Sequence, residues 1–334
     1  MSFLGLGNMD DVSVSIEAVE RLVRVGTSVD DFVPEIRRLL SLSPNSLGSD
    51  HDPGLQLYRA TNHHRAIPTL IEELWFPPPE KAALARANRQ GNPIFYCSSD
   101  PKCALRELSA TAGQVVVLAK WVTTSPMLVH DLGYASSVFA RAGAKRHIPD
   151  GHRSFHESKL DDNARTIRDY IALSFTEPTS TKYALTAAIA ELHLASDEFA
   201  GLKYPSVSRA ANVDNLALRP EFVRTGLRLE TAEVLKVSEI HANGSVKSLI
   251  VAELSSVEAG GILKWKVLGD APKIPPGGSY GLRVGTRTYI HGQGVVEVGG
   301  HRYSVEPGYM IEVTMAGITI YDLQGKIVEP LPQE

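Results

Sequence analysis

The spacing of apolar residues changes twice along the chain, and this change most constrains the fold. Residues 10–42 place apolar side chains at three- and four-residue steps, which predicts two amphipathic helices. Residues 55–242 mix short apolar runs with helical periodicity, which predicts interleaved strands and helices. Glycine and β-branched residues then dominate in alternating order, as in antiparallel strands. The pattern predicts a helical extension over 1–54, a domain over 55–242 and a small, mostly antiparallel β domain of unknown role over 243–334.

Several runs in the central segment predict individual elements. The valine-rich run Val115–Val122 predicts a strand. Asp100 followed by Pro101 is a typical helix start, and the helix is expected to continue to Ala112. The run Glu80–Asn88 predicts another helix. The other predicted elements are helices over 161–175 and 184–195 and strands over 56–60, 94–97, 216–218 and 232–239.

Composition excludes several classes of protein. With 43% hydrophobic and 22% charged residues, the chain can bury a sizeable core, so disorder as the main state is excluded. The net charge of −4 gives no overall attraction to nucleic acid, so a nucleic-acid partner is not expected. The two cysteines, Cys97 and Cys103, exclude a disulfide-stapled scaffold and a cysteine-based zinc site. No signal peptide or membrane span is visible, so we expect a cytoplasmic protein without a membrane partner.

Two polar clusters leave alternatives open. His152 and His156 would face the same side of a helix and bind a metal, but Pro149 and Gly151 disfavour that helix, so we expect no metal site. The chain also has a basic cluster, whose members are Arg141, Lys145, Arg146 and Arg153. Such a cluster is more often a solvated surface than a contact to phosphate groups. The sequence contains neither a phosphate-binding glycine loop nor a nucleophile elbow.

Three segments place polar residues inside strand-like or tightly turned apolar contexts. They are Leu57–Ala60 with Tyr58 and Arg59, the stretch from Arg86 to Glu107 with Tyr96, and Gly201–Val207 with Ser206, followed by Asn215. Taken singly, each of these residues is more often an ordinary edge, surface or turn residue. Their order and spacing together favour a functional site.

In this order the segments resemble the RES domain, a family named for an arginine, a glutamate and a serine. The matches are Arg59 in a Tyr-Arg element, Glu107 on a helix 11 residues after Tyr96, and Ser206 in a Tyr-Pro-Ser element. Arg86 matches the arginine of the family's Arg-x-Asn element. The resemblance covers about residues 55–240. The chain departs from compact members in its first 54 residues, in an insertion around 130–165 and in its C-terminal β segment.

The resemblance implies an α+β fold with a mixed sheet core like that of ADP-ribosyltransferases, flanked by helices. It also implies consumption of NAD through cleavage of the nicotinamide–ribose bond, with NAD as substrate and no separate cofactor. The implied catalytic residues are Arg59, Glu107 and Ser206. The implied NAD-binding residues are Tyr58, Arg86, Tyr96 and Asn215.

The chemistry of the reaction is consistent with these residue types. Breaking the bond at ribose C1′ develops a positive charge, which a carboxylate such as that of Glu107 stabilises. The departing nicotinamide is already a cation in NAD, so one carboxylate is sufficient without a general acid. Arg59 and Arg86 have planar forks suited to a pyrophosphate, and Tyr58 and Tyr96 have rings that stack on nicotinamide or orient the ribose. We expect Ser206 to hydrogen-bond the carboxamide or a phosphate.

Three functions remain open from the sequence. The first is an NAD glycohydrolase or phosphorylase, with water or inorganic phosphate as acceptor, acting as the toxin of a toxin–antitoxin or defence pair. The second is a protein ADP-ribosyltransferase, although Leu105 stands where transferases that modify arginine often have an acid. The third is an inactive binding module. An antitoxin or inhibitor protein and a second copy of the chain are the partners left open.

Overall fold

The structure of the protein is a computed structural model. The structure describes residues 9–42, 47–63, 67–152, 160–241 and 245–268, and strands that lie between 280 and 328. The chain divides into two compact units, Met1–Val267 and Leu268–Glu334. The boundary expected at residue 243 lies inside the first unit, because the strands on both sides of that residue pair in one hairpin.

The two N-terminal helices are present as the periodicity predicts. Helix α1 is Met9–Val25 and helix α2 is Val29–Ser41. Ser28 precedes α2, and its backbone N–H and hydroxyl both donate to the Asp31 carboxylate, at 3.0 and 2.7 Å. This cap fixes the start of the helix. Apolar side chains of both helices, Ile36 among them, are buried in the main core, so the extension is an integral part of the first unit.

The first unit is built on a ten-stranded mixed sheet. Its strands are β1 Gly48–His51, β2 Gln56–Asn62, β3 Phe95–Ser98, β4 Val115–Thr123, β5 Met127–Asp131, β6 Gly201–Pro205, β7 Asp214–Leu218, β8 Leu227–Ile240, β9 Val246–Val257 and β10 Leu263–Val267. The strand order is β1-β5-β6-β7-β3-β2-β4-β8-β9-β10. Strands β5 and β6 are parallel, and the other neighbouring pairs are antiparallel. The fold is therefore α+β with a mixed sheet.

Further α-helices lie beside the sheet in the described part of the first unit. They are α3 Pro101–Glu107, α4 Ser136–Ala142, α5 Asp162–Phe175, α6 Tyr183–His193 and α7 Pro220–Gly226. Helix α3 starts as predicted, with the Asp100 carboxylate accepting from the Cys103 N–H at 2.7 Å, but it ends at Glu107 instead of Ala112.

The helix predicted over Glu80–Asn88 is wrong. The structure has a short 3-10 turn at Pro79–Lys81, followed by a tight turn in which Ala85 and Asn88 bond to each other's backbone. The Asn88 amide group also donates to the Ala83 and Arg89 carbonyls at 2.8 and 2.9 Å. These local side-chain bonds offer the backbone an alternative to a helix.

Alternation along the strands divides the core between the two faces of the sheet. Phe95 and Cys97 of β3 belong to one apolar cluster with Trp121 of β4. Tyr96, between them, packs against the cluster that helices α1, α2, α5 and α6 form on the opposite face. Because successive side chains of a strand point to opposite faces, β3 presents Tyr96 on the helix-covered face.

The second unit consists of β strands in its described residues. Strands β11 Tyr280–Val284, β12 Arg287–His291, β15 Met310–Thr314, β16 Gly317–Tyr321 and β17 Ile327–Val328 form one sheet. Strands β13 Gly294–Val298 and β14 His301–Val305 form a hairpin. The described pairs are all antiparallel, as the alternating pattern predicts.

Among the described residues, no helix combines the length and the hydropathy that crossing a lipid bilayer requires.

Candidate active site

A cleft of about 410 Å³ opens where strands β2 and β3 diverge. In the described sheet these strands share a single ladder position, Tyr58 opposite Ser98. Beyond it, the strands line the cleft together with the end of α3 and the start of α6. The volume lies within the range of small-molecule sites. Six of the seven residues singled out from the sequence line this cleft: Tyr58, Arg59, Arg86, Tyr96, Glu107 and Asn215.

The carboxylate of Glu107 is held through one of its two oxygens. Oε1 accepts hydrogen bonds from the Ser206 hydroxyl at 2.7 Å, the Ser208 hydroxyl at 2.8 Å and the Asn215 amide at 2.8 Å. Among the described residues, no donor contacts Oε2. Three donors on one oxygen fix the orientation of the carboxylate and leave the second oxygen available to a ligand in the cleft.

Ser206, the seventh predicted residue, lies behind Glu107. Its side chain is fully buried, and its hydroxyl donates to the Glu107 carboxylate. A contact to nicotinamide or phosphate, expected from the sequence, is therefore not what the geometry provides. Ser206 positions the carboxylate, and so does Asn215, which is also buried.

Two members of this hydrogen-bond network, Ser208 and Cys103, were not predicted from the sequence. Ser208, two residues after Ser206, is the third donor to Glu107. The thiol of Cys103 lies 3.2 Å from the Ser206 hydroxyl and 3.4 Å from the Asn215 amide oxygen. Burial raises the pKa of the Cys103 thiol, so it stays protonated and acts as a donor. Its four-residue spacing from Glu107 on helix α3 was the available signal, because residues so spaced share a helix face.

Two of the N–H groups of Arg59 donate hydrogen bonds to backbone carbonyls of the protein. Nε donates to the Trp75 carbonyl at 2.9 Å and Nη1 to the Tyr96 carbonyl at 2.7 Å. Its guanidinium lies over the Phe95 ring, 5.1 Å from the centroid. Burial lowers the pKa of Arg59 to about 10, so the side chain remains a cation at neutral pH. Arg59 thus joins β2 to β3 beside the cleft and supplies it with positive charge.

Arg86, which also lines the cleft, is held in a similar way. Its two terminal nitrogens donate to the backbone carbonyls of Phe175 and Glu177, at the C-terminal end of helix α5. A cation at this end of a helix is favoured by the helix dipole. The guanidinium also lies 5.5 Å from the centroid of the Tyr183 ring.

Tyrosine rings make up much of the remaining wall. The Tyr96 hydroxyl accepts from the Ala87 N–H at 2.8 Å and donates to Asn88 at 2.7 Å, so it holds the turn that follows Arg86. Burial raises the pKa of Tyr96. Tyr58 is half-buried and lines the cleft. Two more tyrosines, Tyr183 and Tyr204, line the cleft and were not singled out from the sequence.

The two alternative polar clusters have other contacts. His152 Nε2 lies 3.2 Å from the buried Asp131 carboxylate, while His156 lies outside the described residues. In the described part of the chain, no group of three or more His, Cys, Asp or Glu residues is arranged to hold a metal. In the basic cluster, Arg141 pairs with Glu177 and Arg146 with Asp214, whereas Arg153 is outside the described residues.

The fold and the cleft define an α+β protein in which one positioned carboxylate, two arginines and several tyrosines line the same cleft. Comparison with known protein families matches residues 56–234 to the RES domain. This match covers more than half of the chain, and the chain therefore belongs to the RES domain family. No curated protein matches the chain.

Proposed function

We propose that this protein cleaves the nicotinamide–ribose bond of NAD and passes the ADP-ribosyl group to water or inorganic phosphate. The observation that carries the proposal is the geometry of Glu107, a single carboxylate fixed through Oε1 by three donors in a cleft with two arginines. The family membership supports the same chemistry, because RES domains are NAD-related and toxin-like.

The proposed reaction places positive charge beside Glu107. The bond between ribose C1′ and the nicotinamide nitrogen breaks, and its electron pair stays on that nitrogen and neutralises the pyridinium. The ribose becomes cationic at C1′, where the carboxylate stabilises the charge. Water or phosphate then attacks C1′; attacking water loses its proton to the solvent. No group needs to protonate the leaving nicotinamide, so a second carboxylic acid is not required.

The other residues bind NAD in this proposal. Arg59 and Arg86 attract the pyrophosphate by charge and through the N–H groups that the backbone carbonyls leave unused. The tyrosine rings give flat apolar surfaces to the two bases of NAD. Ser206 and Asn215 act through Glu107.

One observation disfavours transfer to an arginine of a target protein. Leu105 stands two residues before Glu107, and its side chain is buried in an apolar cluster with Ala110 and Val116. That position therefore provides no second acid to activate an arginine acceptor. Water and phosphate need no such group, so they fit the site better.

The experiment is nicotinamide release from NAD by the full chain, with and without inorganic phosphate, followed by chromatography. Glu107→Gln keeps the size of the side chain and removes the charge, so release should fall at least 100-fold. Glu17→Gln, at an exposed position of helix α1, is the matched control and should behave as wild type. Equal activity of wild type and Glu107→Gln would overturn the proposal.

The same experiment separates the acceptors. Free ADP-ribose without a phosphate requirement indicates hydrolysis, and a phosphorylated ADP-ribose indicates phosphorolysis. Labelled ADP-ribose on protein would favour the transferase alternative. A toxin role predicts that expression of wild type, and not of Glu107→Gln, stops growth and depletes cellular NAD.

A further inference from the structure

Ser206 and Ser208, two of the donors to Glu107, are followed by a strained turn. Ala210 and Ala211 have φ angles of 49° and 59°, in the left-handed region that side chains with a Cβ disfavour. Backbone strain of this kind persists where surrounding contacts enforce it, and it is common at functional sites. The turn closes on Ser206 itself, whose carbonyl accepts from the Ala211 N–H at 2.8 Å.

The contacts that enforce this turn come from the insertion around 130–165. Arg146 Nε donates to the Ala211 carbonyl at 2.5 Å, and its two terminal nitrogens donate to both carboxylate oxygens of Asp214 at 3.0 and 2.5 Å. The backbone N–H groups of Lys145 and Arg146 both donate to the Asn212 side-chain oxygen, at 2.7 and 3.0 Å. The short segment 145–146 therefore hydrogen-bonds to residues 211, 212 and 214.

Two other residues of the insertion, Tyr134 and Phe139, also contact this region. The Tyr134 hydroxyl donates to Asp214 at 2.7 Å, and Tyr134 packs in one apolar cluster with Phe139 and Ala211. The Arg146 guanidinium lies 5.5 Å from the Phe139 ring centroid. A bidentate arginine–carboxylate pair supported by packing is geometrically specific, and a lysine cannot reproduce it.

We propose that Arg146 is a positioning residue for the reaction, acting from the insertion through the turn at 206–214 on Glu107. The turn connects Ser206 and Ser208 on one side to Asn215 on the other, so it joins the two segments that supply the three donors to Glu107. The catalytic role of Glu107 in this inference rests on the proposed function. One member of the basic cluster, Arg146, thereby has a role within the protein.

The test compares Arg146→Lys with Lys145→Ala, which removes the neighbouring charge and keeps the backbone N–H. Arg146→Lys loses backbone and carboxylate hydrogen bonds, so kcat for nicotinamide release should fall about two- to ten-fold. The KM for NAD should stay unchanged, because Arg59 and Arg86 are not touched. Lys145→Ala should match wild type in both constants. Tyr134→Phe, a smaller change, should give a weaker loss of kcat.

A second measurement needs no turnover. Hydrogen exchange of the peptide covering 206–213 should be faster in Arg146→Lys and unchanged in Lys145→Ala. Unchanged exchange, or a normal kcat in Arg146→Lys, overturns the inference, and so does a loss confined to KM. If wild type releases no nicotinamide while exchange at 206–213 responds as stated, the proposed function fails and the restraint of the turn by Arg146 stands.

Discussion

Replacing Ser206 by alanine tests the carboxylate geometry without touching any charge. The Ser206 hydroxyl is fully buried and donates to Glu107 at 2.7 Å. A hydrogen bond to a charged group contributes about 1.5–3 kcal/mol, and about 1.4 kcal/mol corresponds to a factor of ten. The full loss of this bond would therefore slow the reaction about 10- to 150-fold. Because Ser208 and Asn215 still hold Oε1, we expect the lower part of that range.

The assay is the steady-state rate of nicotinamide release by purified Ser206→Ala. The loss should be in kcat, with little change in the KM for NAD, because Ser206 does not line the cleft. Ser15→Ala is the matched control, since Ser15 is also fully buried but bonds the Asp11 carbonyl on helix α1. A kcat within two-fold of wild type, or a loss that lies in KM, would refute the reasoning.

Three further predictions concern binding and stability. Tyr96→Phe leaves the Ala87 N–H without its partner, so the KM for NAD should rise several-fold and the unfolding free energy should fall by about 1–3 kcal/mol; unchanged kinetics would count against it. Ile36→Ala, fully buried in helix α2, should cost about 2–5 kcal/mol in urea titrations, and no change would mean that the extension does not share the core. Burial is the main cause that lowers the pKa of His130 to about 4, and His193 lowers it further. The unfolded chain therefore takes up the proton at a higher pH than the folded chain, so the free energy of unfolding should fall as the pH drops from about 6.5 towards 4. Urea midpoints at pH 7 and 5 check this, and His130→Asn should reduce their difference.

The elements that sequence predicts best are those whose own pattern is strong. The valine-rich strand β4 and helices α1, α2 and α5 follow their periodicity closely. The failure at Glu80–Asn88 has a tertiary cause as well as a local one. The Tyr96 hydroxyl, eight residues beyond Asn88, bonds to Asn88 and to the Ala87 N–H and so holds the turn. Such a contact is invisible to a periodicity argument.

The motif order predicted which side chains lie near one another better than it predicted their contacts. The structure places six of the seven selected side chains on one cleft. It also shows that Ser206 faces Glu107 and not the cleft, because its hydroxyl is buried behind the carboxylate. The proposed role of Arg146 could not be predicted from the sequence, because it depends on contacts between the insertion and residues 211–214. Sequence separation of about 65 residues hides that contact.

The most direct test of the central claim is proton NMR of an NAD solution after addition of the wild-type chain. The account predicts that the nicotinamide resonances shift to those of free nicotinamide, with one ADP-ribosyl product formed for each NAD consumed. An NAD spectrum that stays unchanged with folded protein, with and without phosphate, would contradict the account.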